Sequence, residues 1–156
     1  MARRTAVVEA RVYEPSVKHT LTGESLLRGI VERATAELDQ AKRQIARFAE
    51  KLNEDPLSAF SWSKETFDAA ARHWVARTVL DYVKTLREQG DDYERKTDKQ
   101  IVECICREFK DEILNKARFP ERSTSPQSNE TALCKNAAMA SWLIHVEQKF
   151  EHFNIV

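Results

Sequence analysis

The longest regular pattern of hydrophobic positions lies between residues 22 and 53. Apolar side chains recur there at alternating intervals of four and three residues, the a/d heptad seam of a helix that packs along a partner helix. Thr22 precedes the run as an N-cap residue and Pro56 follows it, so the pattern predicts a helix over 22–53. The seam consists of Leu27, Val31, Ala34, Leu38, Ala41, Ile45, Phe48 and Leu52.

This helix is long for a chain of 156 residues. At about 1.5 Å per residue it extends roughly 45 Å, more than the diameter of a compact domain of this size. We therefore expect part of it to project or to contact a second subunit. The seam fits packing within a bundle and an intermolecular coiled coil, and both interpretations stay open at this stage.

Three further helices are predicted, over 64–88, 98–118 and 130–152. Ser63 is the expected N-cap of the first, and Thr97 with Gln100 has capping-box spacing at the start of the second. The last helix carries two apolar rows, which predicts burial on more than one side at the centre of a bundle. These rows are Met139, Leu143, Val146, Phe150 and Phe153, and Leu133, Ala137, Ala140 and Ile144.

The N-terminal segment alternates apolar and polar residues with a period of two, as a strand with one buried face does. The alternation runs from Thr5 to Leu21 and is interrupted by the turn-like Glu14–Ser16. It predicts a β-hairpin or a single strand over 1–21, and residues 153–156 are a further candidate strand. A two-stranded ribbon is marginal alone, so we expect it to pack on the helices or to pair its edge with another chain.

These elements predict a mainly α fold, a four-helix bundle-like domain with an N-terminal hairpin or strand. We expect one domain over 1–156, in which 1–21 is the strand appendage and 22–156 the helical bundle. Residues 119–130 contain Pro120, Pro126 and several Ser and Thr residues, which predicts a mobile loop.

Composition narrows the function classes. The chain has 25 Lys and Arg against 25 Asp and Glu, with ten against seven in residues 1–53, so its charge is not that of a basic nucleic-acid-binding domain. Three Gly residues cannot build a P-loop, a dinucleotide-binding fingerprint or a nucleophile elbow. Without an export signal or an apolar run of membrane-spanning length, and with three cysteines, we expect a cytoplasmic protein.

Catalytic, cofactor and metal sites are not expected. Cys104 and Cys106 are two residues apart, so they point to different sides of a helix and cannot easily share a metal ion. His145 and His152 are seven apart, which is too far for one ion. Cys134 is the remaining candidate, because a thiolate is favoured at a helix N-terminus. A thiol enzyme that uses Cys134 is the third hypothesis.

The leading hypothesis is a non-catalytic protein-binding protein: an adaptor, a steric inhibitor or a small subunit of a complex. Phe60, Trp62 and Tyr93 are the expected partner-binding residues, because aromatic anchors dominate binding energies. Phe60 and Trp62 can instead fold inward, as hydrophobic staples do. A homo-oligomer through the 22–53 helix or the N-terminal strand edge is an additional expectation.

The alternative is a helical nucleic-acid-binding subunit of a ribonucleoprotein or of a DNA-binding complex. Candidate phosphate contacts are Arg43 and Arg47 on the long helix, and Arg72 and Arg77, which lie near His73 and Trp74. Cations beside aromatic rings are typical of surfaces that bind single strands. This alternative predicts binding that weakens steeply with salt.

Overall fold

The computed structural model describes residues 18–89, 95–118 and 126–156. In these ranges the chain forms helices α1 (Gly23–Glu54), α2 (Ala59–Glu88), α3 (Asp98–Arg118) and α4 (Pro126–His152). A short 3-10 turn, Pro56–Ser58, joins α1 to α2, and the strands β1 (His19–Leu21) and β2 (Phe153–Ile155) flank the helices. The predicted mainly α, four-helix bundle-like fold is confirmed.

The helices alternate in direction along the bundle. α1 and α2 form a long antiparallel hairpin, α3 packs beside α1, and α4 packs beside α2 and α3. The first turns of α1 and α3 are close enough that a Cβ atom on Gly23 would lie 3.0 Å from the Lys99 nitrogen. A side chain at position 23 would therefore make a tight contact with the start of α3. We call the end of the bundle where α1 and α3 begin the base.

The two strands close the base. β1 and β2 pair in parallel, with His19 opposite Phe153 and Leu21 opposite Ile155. The N–H of Val156 donates to the Leu21 carbonyl and the N–H of Gly23 donates to the Val156 carbonyl, both at 3.0 Å. β1 lies at the end of the segment 1–21 that was predicted as a hairpin or strand, β2 lies within the candidate strand 153–156, and the two pair with each other. The rest of the predicted hairpin, including its turn, lies outside the described residues.

All four helices contribute to one core near the base. Leu27, Val79, Ile105, Phe109 and Met139 are fully buried in it. The Phe109 ring meets the Trp142 ring edge-on, with 5.0 Å between their centroids. The first half of the α1 seam lies in this core, so the seam packs within the chain.

The other end of the α1–α2 hairpin is different. We call residues 41–67 the arm. Only Ala41 is buried within it, while Ile45, Phe48 and Leu52 of the seam are half-buried against α2. The arm is thus a two-helix extension, as the excess length of the predicted helix indicated.

Helix capping follows the sequence at two of three predicted positions. The Thr22 hydroxyl accepts from the Ser25 N–H at 3.1 Å, and Thr97 and Gln100 form the reciprocal capping box, at 3.3 and 2.9 Å. Ser63 is not a cap. The Pro56–Ser58 turn leads directly into α2, which begins at Ala59, so Ser63 lies inside the helix.

Two predictions about the last helix are wrong. α4 begins at Pro126 rather than near residue 130, because proline suits the first position of a helix. Residues 119–125 of the predicted loop lie outside the described residues. The second apolar row of α4 is not buried: Leu133 is 68% and Ile144 58% exposed. α4 therefore lies at the outside of the bundle and buries one side.

Candidate functional site: the tip of the helical hairpin

The connection between α1 and α2 is held by its own hydrogen bonds. We call residues 55–62 the tip. The Asp55 N–H donates to the Lys51 carbonyl at 2.9 Å and ends α1, and the Asp55 carboxylate accepts from the Leu57 N–H at 3.1 Å. The Ser58 hydroxyl donates to the Asp55 carbonyl at 2.6 Å. These bonds satisfy backbone groups that a helix end leaves open, and they fix the tip.

Phe60 and Trp62 point to different sides of α2. Residues two apart on a helix differ by about 200° in direction, so only one of the two can face α1. Trp62 does so: its ring lies 5.7 Å from the Phe48 ring between centroids, and the Lys51 ammonium lies 3.7 Å from the Trp62 ring. Trp62 therefore packs against α1, and the Phe60 side chain points into solvent.

Phe60 is 86% exposed and the neighbouring Leu57 is 74% exposed. Two large apolar side chains thus stand in solvent on a backbone that is already ordered. An apolar surface on an ordered backbone loses little backbone entropy when it associates with another surface. Leu57 was not among the residues expected from the sequence, although an apolar residue in a Pro-containing turn was the signal that could have identified it.

The other expected partner-binding residues have separate outcomes. Trp62 is half-buried in the arm, so the inward interpretation holds for Trp62 and the outward one for Phe60. Tyr93 lies outside the described residues. The candidate site is therefore Phe60 with Leu57, and Trp62 instead packs against α1.

The four candidate arginines do not form one cluster. The Arg72 guanidinium donates to the Gln44 amide oxygen at 2.7 Å, and Gln44 lies between Arg43 and Arg47 on α1. Arg77 instead faces Asp81, at 3.9 Å. It lies five residues beyond Arg72, about 140° further around α2. Nucleic-acid binding by these arginines stays a prediction.

A groove of about 270 Å³ lies between α1, α2 and α4. Arg33 and Glu37 form an ion pair at 2.9 Å on its α1 side. The Cys134 thiol faces it and donates to the Asp68 carboxylate at 3.7 Å. Burial, together with the charge of Asp68, raises the pKa of Cys134.

The chemistry predicted for Cys134 is therefore not favoured. The residue lies eight positions after the first residue of α4, not at the N-terminus where a thiolate is stabilised. Its carboxylate neighbour further stabilises the neutral thiol. With its pKa raised, the Cys134 thiol of this groove is not an activated nucleophile.

The remaining thiols lie on α3. Cys104 and Cys106 are half-buried and, like Cys134, free of disulfides. Burial raises the pKa of Cys106 to about 11. Within the described ranges, no group of three or more His, Cys, Asp or Glu side chains could hold a metal ion.

Comparisons with protein families, with curated proteins and with solved structures find no match to this chain. Among the described residues, no helix combines the length and the apolar character needed to cross a membrane.

Proposed function

We propose that this protein is a non-catalytic binding protein, an adaptor, steric inhibitor or small subunit of a complex, and that it holds a partner protein with the tip of its helical hairpin. The observation that carries the proposal is the 86% exposure of Phe60, which lies in the first turn of α2, close in sequence to Leu57 of the hydrogen-bonded turn. The arm serves to hold this anchor away from the bundle core.

An exposed apolar side chain lowers the stability of the free protein. Exposing a Phe side chain forgoes about 2 kcal/mol of burial free energy. The tip also orders its backbone through the Asp55 and Ser58 hydrogen bonds, and Trp62 is braced by Phe48 and Lys51. In protein interfaces, a few residues, often aromatic, contribute most of the binding energy. An exposed aromatic side chain on an ordered backbone is suited to this role.

The partner surface is expected to be a concave apolar pocket that accepts Phe60 together with Leu57. Lys51 is not part of this contact, because its ammonium lies at the ring of Trp62, which is directed toward α1 and not to the side of Phe60.

The test places a photoreactive benzophenone side chain at position 60 and, as the control, at the exposed Glu65 on the same helix. After irradiation in a lysate of the source cells, we expect a discrete protein adduct from position 60 only. Excess native chain should suppress this adduct, and excess Phe60→Ser chain should not. Equal suppression by both chains would contradict the proposal, as would identical adducts from positions 60 and 65.

A further inference from the structure

α4 presents an exposed apolar stripe on the side that faces away from the core. We call Leu133, Ala137, Ala140 and Ile144 the α4 stripe. Leu133 is 68% and Ile144 58% exposed, Ala137 is exposed, and Ala140 is half-buried. Nothing in the described parts of the chain covers these two large side chains. The stripe is separate from the tip and is not used by the proposed function.

The stripe carries no charge over its whole length. Between Glu130 and Glu147, the ionisable side chains of α4 are Cys134, Lys135 and His145, and each is directed elsewhere. Cys134 hydrogen-bonds to α2, and the Lys135 ammonium lies 4.5 Å from an aromatic ring of α2. His145 interacts with charged groups of α1. In a chain with 32% charged residues, such an uncharged surface is typical of a contact face.

The order of side chains along the stripe is symmetric. The intervals of four, three and four residues read the same in both directions, with large side chains at the ends and alanines at the centre. A two-fold axis at the centre therefore pairs each Leu133 with the Ile144 of a second copy, and each Ala137 with an Ala140. Alanines at the axis let the two helices approach closely, and a two-fold interface requires this self-complementarity.

α3 extends the same surface. The Lys110 ammonium lies 2.5 Å from a carboxylate oxygen of Glu147, which fixes α3 beside α4. Leu114 follows Lys110 by one turn and is 46% exposed. Because α3 and α4 run antiparallel, Leu114 lies beside the Ile144 end of the stripe. In the symmetric pair this end faces Leu133 of the second copy, so Leu114 adds apolar contact there.

The charges at the ends of the stripe are also compatible with a second copy. The two-fold axis that pairs Leu133 with Ile144 brings Glu130 of one copy opposite Glu147 of the other. The Lys110 ammonium, already bonded to Glu147, then lies between two carboxylates. The acidic end is thus compensated by a cation that the structure holds in place.

We propose that two copies of this chain associate through an antiparallel, two-fold contact of their α4 stripes. The stripe is about 16 Å long at 1.5 Å per residue. Stable interfaces bury roughly 800 Å² per partner, and a single helix contact with two added leucines buries less. The dimer is therefore expected to be weak and to form reversibly as the concentration rises.

The test measures sedimentation of the full chain over a range of concentrations. We expect a reversible dimer for the native chain and for Ala46→Glu, an exposed alanine on α1 that serves as the matched control. Ala137→Glu brings two carboxylates together near the axis and should weaken dimerisation at least about tenfold, which corresponds to roughly 1.4 kcal/mol. Circular dichroism confirms that both variants keep the helical fold.

Cysteine cross-linking gives a second readout. Under mild oxidation, Ala137→Cys should form a disulfide-linked dimer faster than Ala46→Cys in the same background. A native chain that stays monomeric at every concentration would overturn the proposal. So would a dimer that Ala137→Glu leaves intact, or one that Phe60→Ser abolishes, since the latter would place self-association at the tip.

Discussion

The base of the bundle and the arm use one continuous seam on α1 in two different ways. At the base, Leu27 is completely buried in the core to which all four helices contribute. In the arm, Phe48 occupies the equivalent heptad position, 21 residues further along, and is only half-buried, against Trp62 of α2. The same heptad pattern therefore forms a core in one half of the helix and a two-helix support in the other.

The lengths of the helices explain this difference. α1 has 32 residues and α3 has 21, or about 48 and 31 Å at 1.5 Å per residue. Both helices start at the base, so α3 ends well before the tip. Beyond that point α3 no longer contributes to the burial of α1. A heptad seam therefore predicts that a helix packs against another helix, but not how many helices pack against it.

The largest expected effect is a difference in the free energy of unfolding between alanine variants of two seam leucines. Leu27→Ala leaves a cavity in the four-helix core and should lower the free energy of unfolding by about 3–4 kcal/mol. Leu52→Ala removes a half-buried side chain beside solvent and should cost about 1 kcal/mol. Urea denaturation of both variants measures the difference. Equal losses would show that the arm is packed as tightly as the base.

A second comparison lies within the tip. Trp62→Ala removes the contacts with Phe48 and Lys51 and should destabilise the protein by about 2 kcal/mol. Phe60→Ala removes an exposed side chain and should change the free energy of unfolding by less than about 0.5 kcal/mol. Thermal and chemical denaturation of the two variants measure this. A stability loss for Phe60→Ala comparable to that of Trp62→Ala would mean that Phe60 is structural.

A third comparison concerns helix starts at the base and in the arm. Thr22→Ala removes the hydroxyl that caps α1 and should cost about 1 kcal/mol. Ser63→Ala lies inside α2, where alanine is the better helix former, and should be neutral or stabilising by a few tenths of a kcal/mol. Denaturation midpoints distinguish the two. A clear loss for Ser63→Ala would contradict the start of α2 at Ala59.

The smallest expected effect is a pH dependence of the free energy of unfolding that comes from His145 of α4. Burial, together with the positive charges of Arg33 and Lys149, lowers the pKa of His145 below its usual value of 6.5. The unfolded chain therefore binds a proton at His145 before the folded chain does, so this contribution to stability is present above pH 6.5 and lost as the pH falls.

The melting temperature should accordingly decrease from about pH 7.5 to about pH 5.5, and His145→Gln should flatten this decrease. NMR titration of the His145 imidazole gives the direct measurement. An imidazole pKa at or above 6.5 in the folded protein would contradict the assignment.

Much of the fold follows from patterns within single segments. The α1 seam, the Thr22 cap and the Thr97–Gln100 capping box are local, because they depend on residues three to seven apart in the chain. They predicted the helices and most of their ends. The prediction was wrong at Ser63 because Asp55 and Pro56 start the turn into α2 earlier, and sequence spacing does not rank two competing helix starts.

The candidate site could be predicted only in part. Two residues apart on one helix, Phe60 and Trp62 must point to different sides, but the sequence does not say which of them faces α1. That choice depends on Phe48 and Lys51, which lie more than ten residues away along the chain. Leu57 could be recognised as a site residue only once the turn was known to project.

The sequence by itself determined a neutral, mainly helical chain with one helix longer than its domain, because periodicity and capping act over one or two turns. The tertiary structure decided which apolar rows were covered. Leu133 and Ile144 belong to a row with the same alternating spacing of four and three residues as the row of the buried Met139 and Val146, and the two rows differ in what packs against them. Burial depends on the positions of the neighbouring helices, and a periodicity along one helix contains no information about them.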